Sequence, residues 1–169
     1  MKIKIMKLEG IDVTIPTRGT EKSGGIDFYI PNFTKKQFKD IFSKQEGIET
    51  KGYNMIIIKP HNHILIPSGL KVGIPRNKLL QFNPRSSIGS KLQVLMGARV
   101  IDEDYRNEVF INLINTSDEK VTITLGQKIA QALLLPAYYC KIEECNSEKK
   151  LFGRTKSNRK GGFGSTDSK

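Results

Sequence analysis

The chain has no tryptophan, only two cysteines and only two histidines among 169 residues. Cys140 and Cys145 form one pair, His61 and His63 another, and the two pairs lie far apart in the sequence. That spacing does not build a zinc site. No Gly-x-Ser-x-Gly elbow occurs, so a Ser-His-Asp or Cys-His nucleophile has no support. Long apolar runs are also missing: none approaches the ~20 residues of a membrane span. At the N-terminus, Lys2-Ile3-Lys4-Ile5-Met6-Lys7 alternates charged and apolar residues. It reads as a strand, whereas a signal peptide needs a continuous apolar core. Cytoplasmic residence and no membrane partner are the corresponding expectations. Acidic residues are scarce as well, 17 Asp and Glu against 28 Lys and Arg, for a net charge of +11. That excess implies an anionic partner: nucleic acid, an acidic protein or a phosphorylated small molecule.

What is present is mostly strand signal. Short stretches rich in Ile, Val and Leu occur at 2–7, 55–59, 63–66, 70–74, 79–82, 109–114 and 121–125, separated by Pro, Gly, Asn and Ser. Many short strands without intervening helices predict an all-β jelly roll, sandwich or barrel. One segment differs. Over residues 34–45, Phe38, Ile41 and Phe42 sit at i, i+3 and i+4 among lysines, the pattern of a short amphipathic helix. Asn32 or Thr34 is its expected cap and Gly47 its expected end. The helix reads as an insertion, about residues 33–53, in a β domain spanning 1–145, and it offers a surface for a protein partner. Residues 146–169 are polar and basic, as in a flexible C-terminal arm. The 37% hydrophobic content supports an ordinary core, and burial against copies of the chain fits that modest supply.

Five stretches carry candidate chemistry. Gly24-Gly25-Ile26-Asp27-Phe28 is a turn entering a strand with one carboxylate. Pro84-Arg85-Ser86-Ser87-Ile88 ends a strand with a guanidinium, two hydroxyls and backbone N–H groups, the makings of a phosphate cradle. Gly97 to Glu108 reads as the tip of a β-hairpin presenting Asp102 and Tyr105. Gly126-Gln127-Lys128-Ile129-Ala130-Gln131 turns into a last apolar strand. The fifth, Gly161-Gly162-Phe163-Gly164-Ser165-Thr166, places one aromatic among glycines, where a ring can stack on a flat ligand.

Together and in this order, the five stretches resemble the motifs of the trimeric deoxyuridine triphosphatases (dUTPases). Ile101-Asp102-Glu103-Asp104-Tyr105-Arg106 and the Gly-Phe-Gly tail are the most specific parts. The resemblance implies a jelly-roll subunit, a homotrimer with shared sites, and conversion of dUTP to dUMP and pyrophosphate, which lowers dUTP and supplies dUMP for thymidylate synthesis. It implies that Asp102 activates water for attack on the α-phosphate and that Asp27 holds a Mg²⁺ through water. Arg85, and a tail arginine, Arg159, at the γ-phosphate, would balance charge developing during phosphoryl transfer, while Ser86, the Ser87 backbone and Gln131 would contact phosphate oxygens. Tyr105 would lie under the deoxyribose. The backbone of Gly97, Val100 and Ile101 would read uracil, and Phe163 and Gly164 would close over the base.

The chain departs from the family pattern at Ser87, where glycine is common, and at Asn107, which replaces a turn glycine. Arg99 replaces a small residue, and strand alternation predicts that it shares a face with Ile101 and points away from Asp102. Arg159 stands one place late, with Asn158 at the usual position. Two rival readings differ at identifiable residues. A dCTP deaminase of the same fold needs a glutamate where this chain has Asn112, and an amide cannot move the proton. A basic nucleic-acid-binding or protein-binding β module would interleave aromatics with Lys and Arg on its strands, and these strands carry few.

Overall fold

The computed structural model describes residues 1–153. In chain order its strands are β1 (Lys4–Lys7), β2 (Thr17–Arg18), β3 (Ile26–Tyr29), β4 (Ile48–Lys51), β5 (Met55–Ile58), β6 (His63–Pro67) and β7 (Leu70–Gly73). They continue with β8 (Lys78–Pro84), β9 (Val94–Gly97), β10 (Val100–Ile101), β11 (Phe110–Asn115), β12 (Val121–Thr124) and β13 (Lys128–Pro136). Helix α1 (Lys35–Phe42) follows β3, and α2 (Glu148–Phe152) follows β13. Each of the seven strands expected from periodicity forms, with bounds shifted by at most two residues. Every strand pairing is antiparallel. The sheets run β10-β8-β13-β3-β2, β6-β11-β9, β12-β5-β4 and β1-β7.

Alternation explains the core. Along β11, Ile111, Leu113 and Asn115 are buried while Phe110, Asn112 and Ile114 face outward. The same period buries Ile64 and Ile66, Ile56 and Ile58, and Val121 and Ile123, all in one apolar cluster. The cluster includes Phe28 and Phe82, whose rings meet edge to face at 4.8 Å. They can meet because β13 contributes only Ala130 and Ala132 on that face, registered opposite Phe28 and Phe82. Asn115 fills a polar position inside: its Nδ2 donates to the carbonyls of Ile58, Lys59 and Glu119 at 3.1, 3.0 and 2.8 Å.

Thr34 caps α1 in a reciprocal box with Gln37. Asn32, the other candidate cap, instead bonds Asp12. Phe38 and Phe42 are buried against each other, and Phe42 also meets Phe33. The helix stops at Ser43 rather than Gly47, which serves the following turn with φ +75°. The rest of the expected insertion is strand. Its β4 pairs with β5, and Gln45 exchanges two hydrogen bonds with the Leu65 backbone on β6, an edge strand.

The simple hairpin expected around Asp102 is not what forms. β9 pairs with β11 up to the rung Gly97–Asn112, and then the two arms part. Ala98 takes φ +39°, an uncommon conformation for a residue with a Cβ, and the chain swings away so that β10 pairs with β8. Strand alternation therefore breaks at Ala98. Arg99 is exposed while Ile101 is buried, so the two do not share an environment. Asn107, though it replaces a turn glycine, does not take the left-handed conformation; His61, Asn77, Gln93 and Ala98 do.

The first compact unit is Met1–Tyr138, and the second begins at Tyr139. Within the second, Ser147 caps α2 and Lys150 pairs with Glu143 at 2.9 Å. Among the described residues, no helix is long and apolar enough to cross a membrane.

Candidate active site

One rung of the five-stranded sheet carries Asp27 on β3, Gln131 on β13 and Asn83 on β8. The neighbouring rungs carry Phe28 with Ala130 and Phe82 with Ala132 into the core, so the polar rung faces the opposite side. Just past the end of β8, Arg85 returns to this rung and donates from Nε to Asp27 Oδ1 at 3.0 Å. Lys128 Nζ lies 3.0 Å from the other carboxylate oxygen. The contact with Asp27 raises the Lys128 pKa further. Two cations on one carboxylate leave one positive charge uncompensated, suited to an anion.

Gln131 donates to the Pro84 carbonyl at 3.1 Å. Opposite it, a Cβ on Gly25 would fall 2.4 Å from Gln131 Oε1, so glycine makes room for the amide. Ser86 lies next to Arg85, and a single helical turn, Ser87–Lys91, begins there. The N–H groups of Ile88 and Gly89 both reach back to the Arg85 carbonyl. The N–H groups of Ser86 and Ser87 precede that turn, where backbone donors lack helical partners. A cavity of about 190 Å³ is lined by Asp27, Arg85, Ser86 and Gln131 together with Gly19, Ser23 and Gly25.

Lys128 joins this cluster against the expectation from its sequence position. Three places before Gln131, it should face the other way by simple alternation. The register of β13 against β3 shifts between Lys128 and Ala130, so Ile129 and Ala130 are both buried and Lys128 comes round beside Asp27. The cue available was the absence of alternation in Lys128-Ile129-Ala130-Gln131.

Asp102 lies elsewhere. Ile101 pairs with Leu80, which puts Asp102 abreast of Leu79, while Arg85 lies beyond the other end of β8. Six residues of strand at about 3.3 Å each separate the two by roughly 20 Å within one chain. Asp102 is exposed, and its carboxylate makes no hydrogen bond or ion pair among the described residues. Its carbonyl accepts the Tyr105 N–H at 3.2 Å, closing the turn. Tyr105 is fixed from its far end, where its hydroxyl donates to the Glu108 carbonyl at 2.8 Å. Gly97 ends β9, and Val100 and Ile101 make up β10, with Val100 exposed and Ile101 buried. The structure thus gathers Asp27, Arg85, Ser86 and Gln131, with Ser87 adjacent, and keeps Gly97, Val100, Ile101, Asp102 and Tyr105 as a second group. Arg159, Phe163 and Gly164 lie outside the described residues.

The sequence profile of the family described as dUTPase matches residues 50–167. The chain belongs to the dUTPase family. Among similar proteins, the deoxyuridine 5'-triphosphate nucleotidohydrolase of Hydrogenobaculum sp. (strain Y04AAS1) is 29% identical, with all of both chains covered. That of Wolbachia sp. subsp. Brugia malayi (strain TRS) is 31% identical over 98% of this chain and 94% of its own. The fold is that of a Staphylococcus bacteriophage 80alpha dUTPase mutant solved with dUpNHpp, at TM-score 0.70, 17% identity and 97% coverage of each chain. A mutant dUTPase from phage phi11 of S. aureus, described with a structural Mg(II) ion, aligns at TM-score 0.64 and 15% identity, covering 88% of this dUTPase and 99% of its own chain.

Among the described residues, no group of three or more His, Cys, Asp or Glu could hold an ion. Asp27, the carboxylate lining the cavity, suits instead a Mg²⁺ that arrives on phosphates and keeps several waters.

Proposed function

We propose that this dUTPase hydrolyses dUTP to dUMP and pyrophosphate. The observation that carries the reading is the Arg85–Asp27–Lys128 cluster beside Ser86 and Gln131, a fixed cationic cradle for a triphosphate. Arg85 is aimed by its bond to Asp27, so its remaining guanidinium donors offset charge on the phosphates without reorganising during reaction. Ser86, the Ser87 N–H and Gln131 supply donors to phosphate oxygens. Mg²⁺ bound to the triphosphate, held by Asp27 through water, would gather the three phosphates and neutralise their charge.

Asp102 is the base. Its carboxylate takes a proton from a water molecule as the water oxygen bonds to the α-phosphorus. The bond from that phosphorus to the bridging oxygen breaks, and pyrophosphate leaves with the electron pair. Tyr105, held by the Glu108 carbonyl, lies under the deoxyribose and excludes a 2′-hydroxyl. The backbone of Gly97, Val100 and Ile101 faces the base. The roles that the resemblance implies for Arg159 at the γ-phosphate and for Phe163 and Gly164 at the base fall on residues outside those described.

Asp102 and Arg85 of one chain are about 20 Å apart, too far to act on one α-phosphate. That separation supports a site that combines the cradle of one subunit with Asp102 and Tyr105 of another, in the homotrimer that the resemblance implies. The direct test compares pyrophosphate release from dUTP, dTTP, dCTP and UTP. A clear preference for dUTP is expected, and its absence would refute the activity.

A further inference from the structure

The amide of Asn112 has no task in the fold. Its Oδ1 is the one side-chain nitrogen or oxygen among the described residues that is shielded from solvent and lacks a hydrogen-bond partner. Burying such an oxygen unpaired is costly, and native proteins rarely tolerate it without a reason. An apolar residue would fill the position without that cost. The contrast with Asn115, three places on in β11, is direct: every polar atom of that amide is engaged.

The position of Asn112 supplies the reason. It forms the last rung of the β9–β11 ladder, opposite Gly97, and beyond that rung the two arms fork. On one side of the fork, β10 pairs with β8 and has no strand on its other edge. On the other side, Phe110 and Ile111 pair with β6 but not with β9. The fork is thus rimmed by backbone N–H and C=O groups without a strand partner, a match for a flat heterocycle carrying the same groups. The amide lies at its root. A Cβ on Gly97 would come within 2.8 Å of Asn112 Nδ2, so the absence of a side chain at Gly97 is what lets the amide lie there.

We propose that Asn112 is a specificity-determining residue whose Oδ1 accepts a hydrogen bond from the imide N3–H of a uracil ring seated in this fork. This rests on the reading of the protein as a dUTP hydrolase. Cytosine presents an unprotonated ring nitrogen at the same place, and two acceptors then face each other without a proton between them. A site that pairs a polar edge rejects a base that leaves the pair unmade more strongly than an apolar pocket does. Asn112 thereby adds a side-chain reader to the backbone groups of the fork.

The test uses the full chain and two variants, Asn112→Leu, close in volume and apolar, and Asn112→Ser, small enough to fold should leucine crowd the site. The readout is the ratio of kcat/KM for dUTP to that for dCTP, with the thermal midpoint of the free protein and its oligomeric state. The expected result is a fall in the ratio of about tenfold or more in each folded variant, the size of one lost hydrogen bond. The free Asn112→Leu protein should be at least as stable as the parent, because an unpaired buried oxygen has been removed. A merely structural amide would give the opposite: lower stability and an unchanged ratio, which overturns the proposal. Variants that fall apart into monomers would assign the amide to subunit contact and likewise overturn it. Selectivity for dUTP in the parent with an unchanged ratio in the variants defeats this inference alone. A parent that does not hydrolyse dUTP defeats both it and the reading beneath it.

Discussion

Arg85 and Asp27 are joined by a 3.0 Å bond although they come from strands with β13 between them. Arg85 follows β8, Asp27 sits on β3, and the intervening Gln131 shares a rung with Asp27. A carboxylate that is itself nearly buried thus fixes the direction of a guanidinium on the open side of the sheet. Asp27→Asn keeps the shape but releases both Arg85 and Lys128. A positioning error of this kind costs about a hundredfold in turnover. Steady-state kinetics with dUTP should show a loss of that order; a change below about threefold would mean that Arg85 needs no such guide.

The proposed division of the site between subunits has its own signature. Asp102→Asn and Arg85→Ala chains should each be nearly inactive alone. Unfolded together and refolded as mixed oligomers, they should regain activity, because some sites then combine an intact Asp102 from one chain with an intact Arg85 from another. Mixtures no more active than their parents would place the two residues in one chain's site.

Residues 154–169 of the C-terminal arm lie outside the described residues, and their role is testable by removal. Truncation before Gly161 should lower kcat for dUTP by about tenfold or more, since closure completes such sites. Full activity without Phe163 and Gly164 would remove the tail from the mechanism.

Glu108 links the fork to the pH response of the fold. Its carboxylate accepts the Gly69 N–H at 2.7 Å yet is partly buried beside Phe110 and Pro67, and burial raises its pKa above 4.5. The folded state then binds this proton more tightly than the unfolded chain. The penalty is absent below pH 4.5, and stability falls as pH rises through the elevated folded value. Glu108→Gln keeps the acceptor for Gly69 and removes the charge. Denaturant unfolding across acidic to neutral pH should show a shallower decline for this variant, and identical slopes would contradict the assignment.

Asn115 tests the scaffold rather than the site. Asn115→Leu leaves three carbonyls without their shared donor at a fully buried position. A loss of about 2–4 kcal/mol in unfolding free energy is expected. A loss below about 1 kcal/mol would mean that other donors take over.

Strand placement was legible because alternation is a local property: Val121-Thr122-Ile123-Thr124 buries one face whatever it packs against. The helix was legible for the same reason, through Thr34, Gln37, Phe38 and Phe42. β4 was not, since Ile48-Glu49-Thr50-Lys51 carries one apolar residue and is a strand only because β5 offers it an edge. Around Asp102, the sequence suggested a continuous hairpin, and the left-handed turn at Ala98 has no local cue, because alanine rarely adopts it.

The sequence by itself determined the mostly-β character, the basic charge and the identity of the chemical groups, because periodicity, ionisation and functional groups belong to single residues and their neighbours. Only the tertiary structure decided which groups meet. The shifted register of β13 brought Lys128 to Asp27, and the length of β8 separated Asp102 from Arg85. The fork beyond Gly97 left the Asn112 oxygen buried without a partner. Each of these is a distance between residues remote in the chain, set by strand order and register, and no pattern along the sequence encodes it directly.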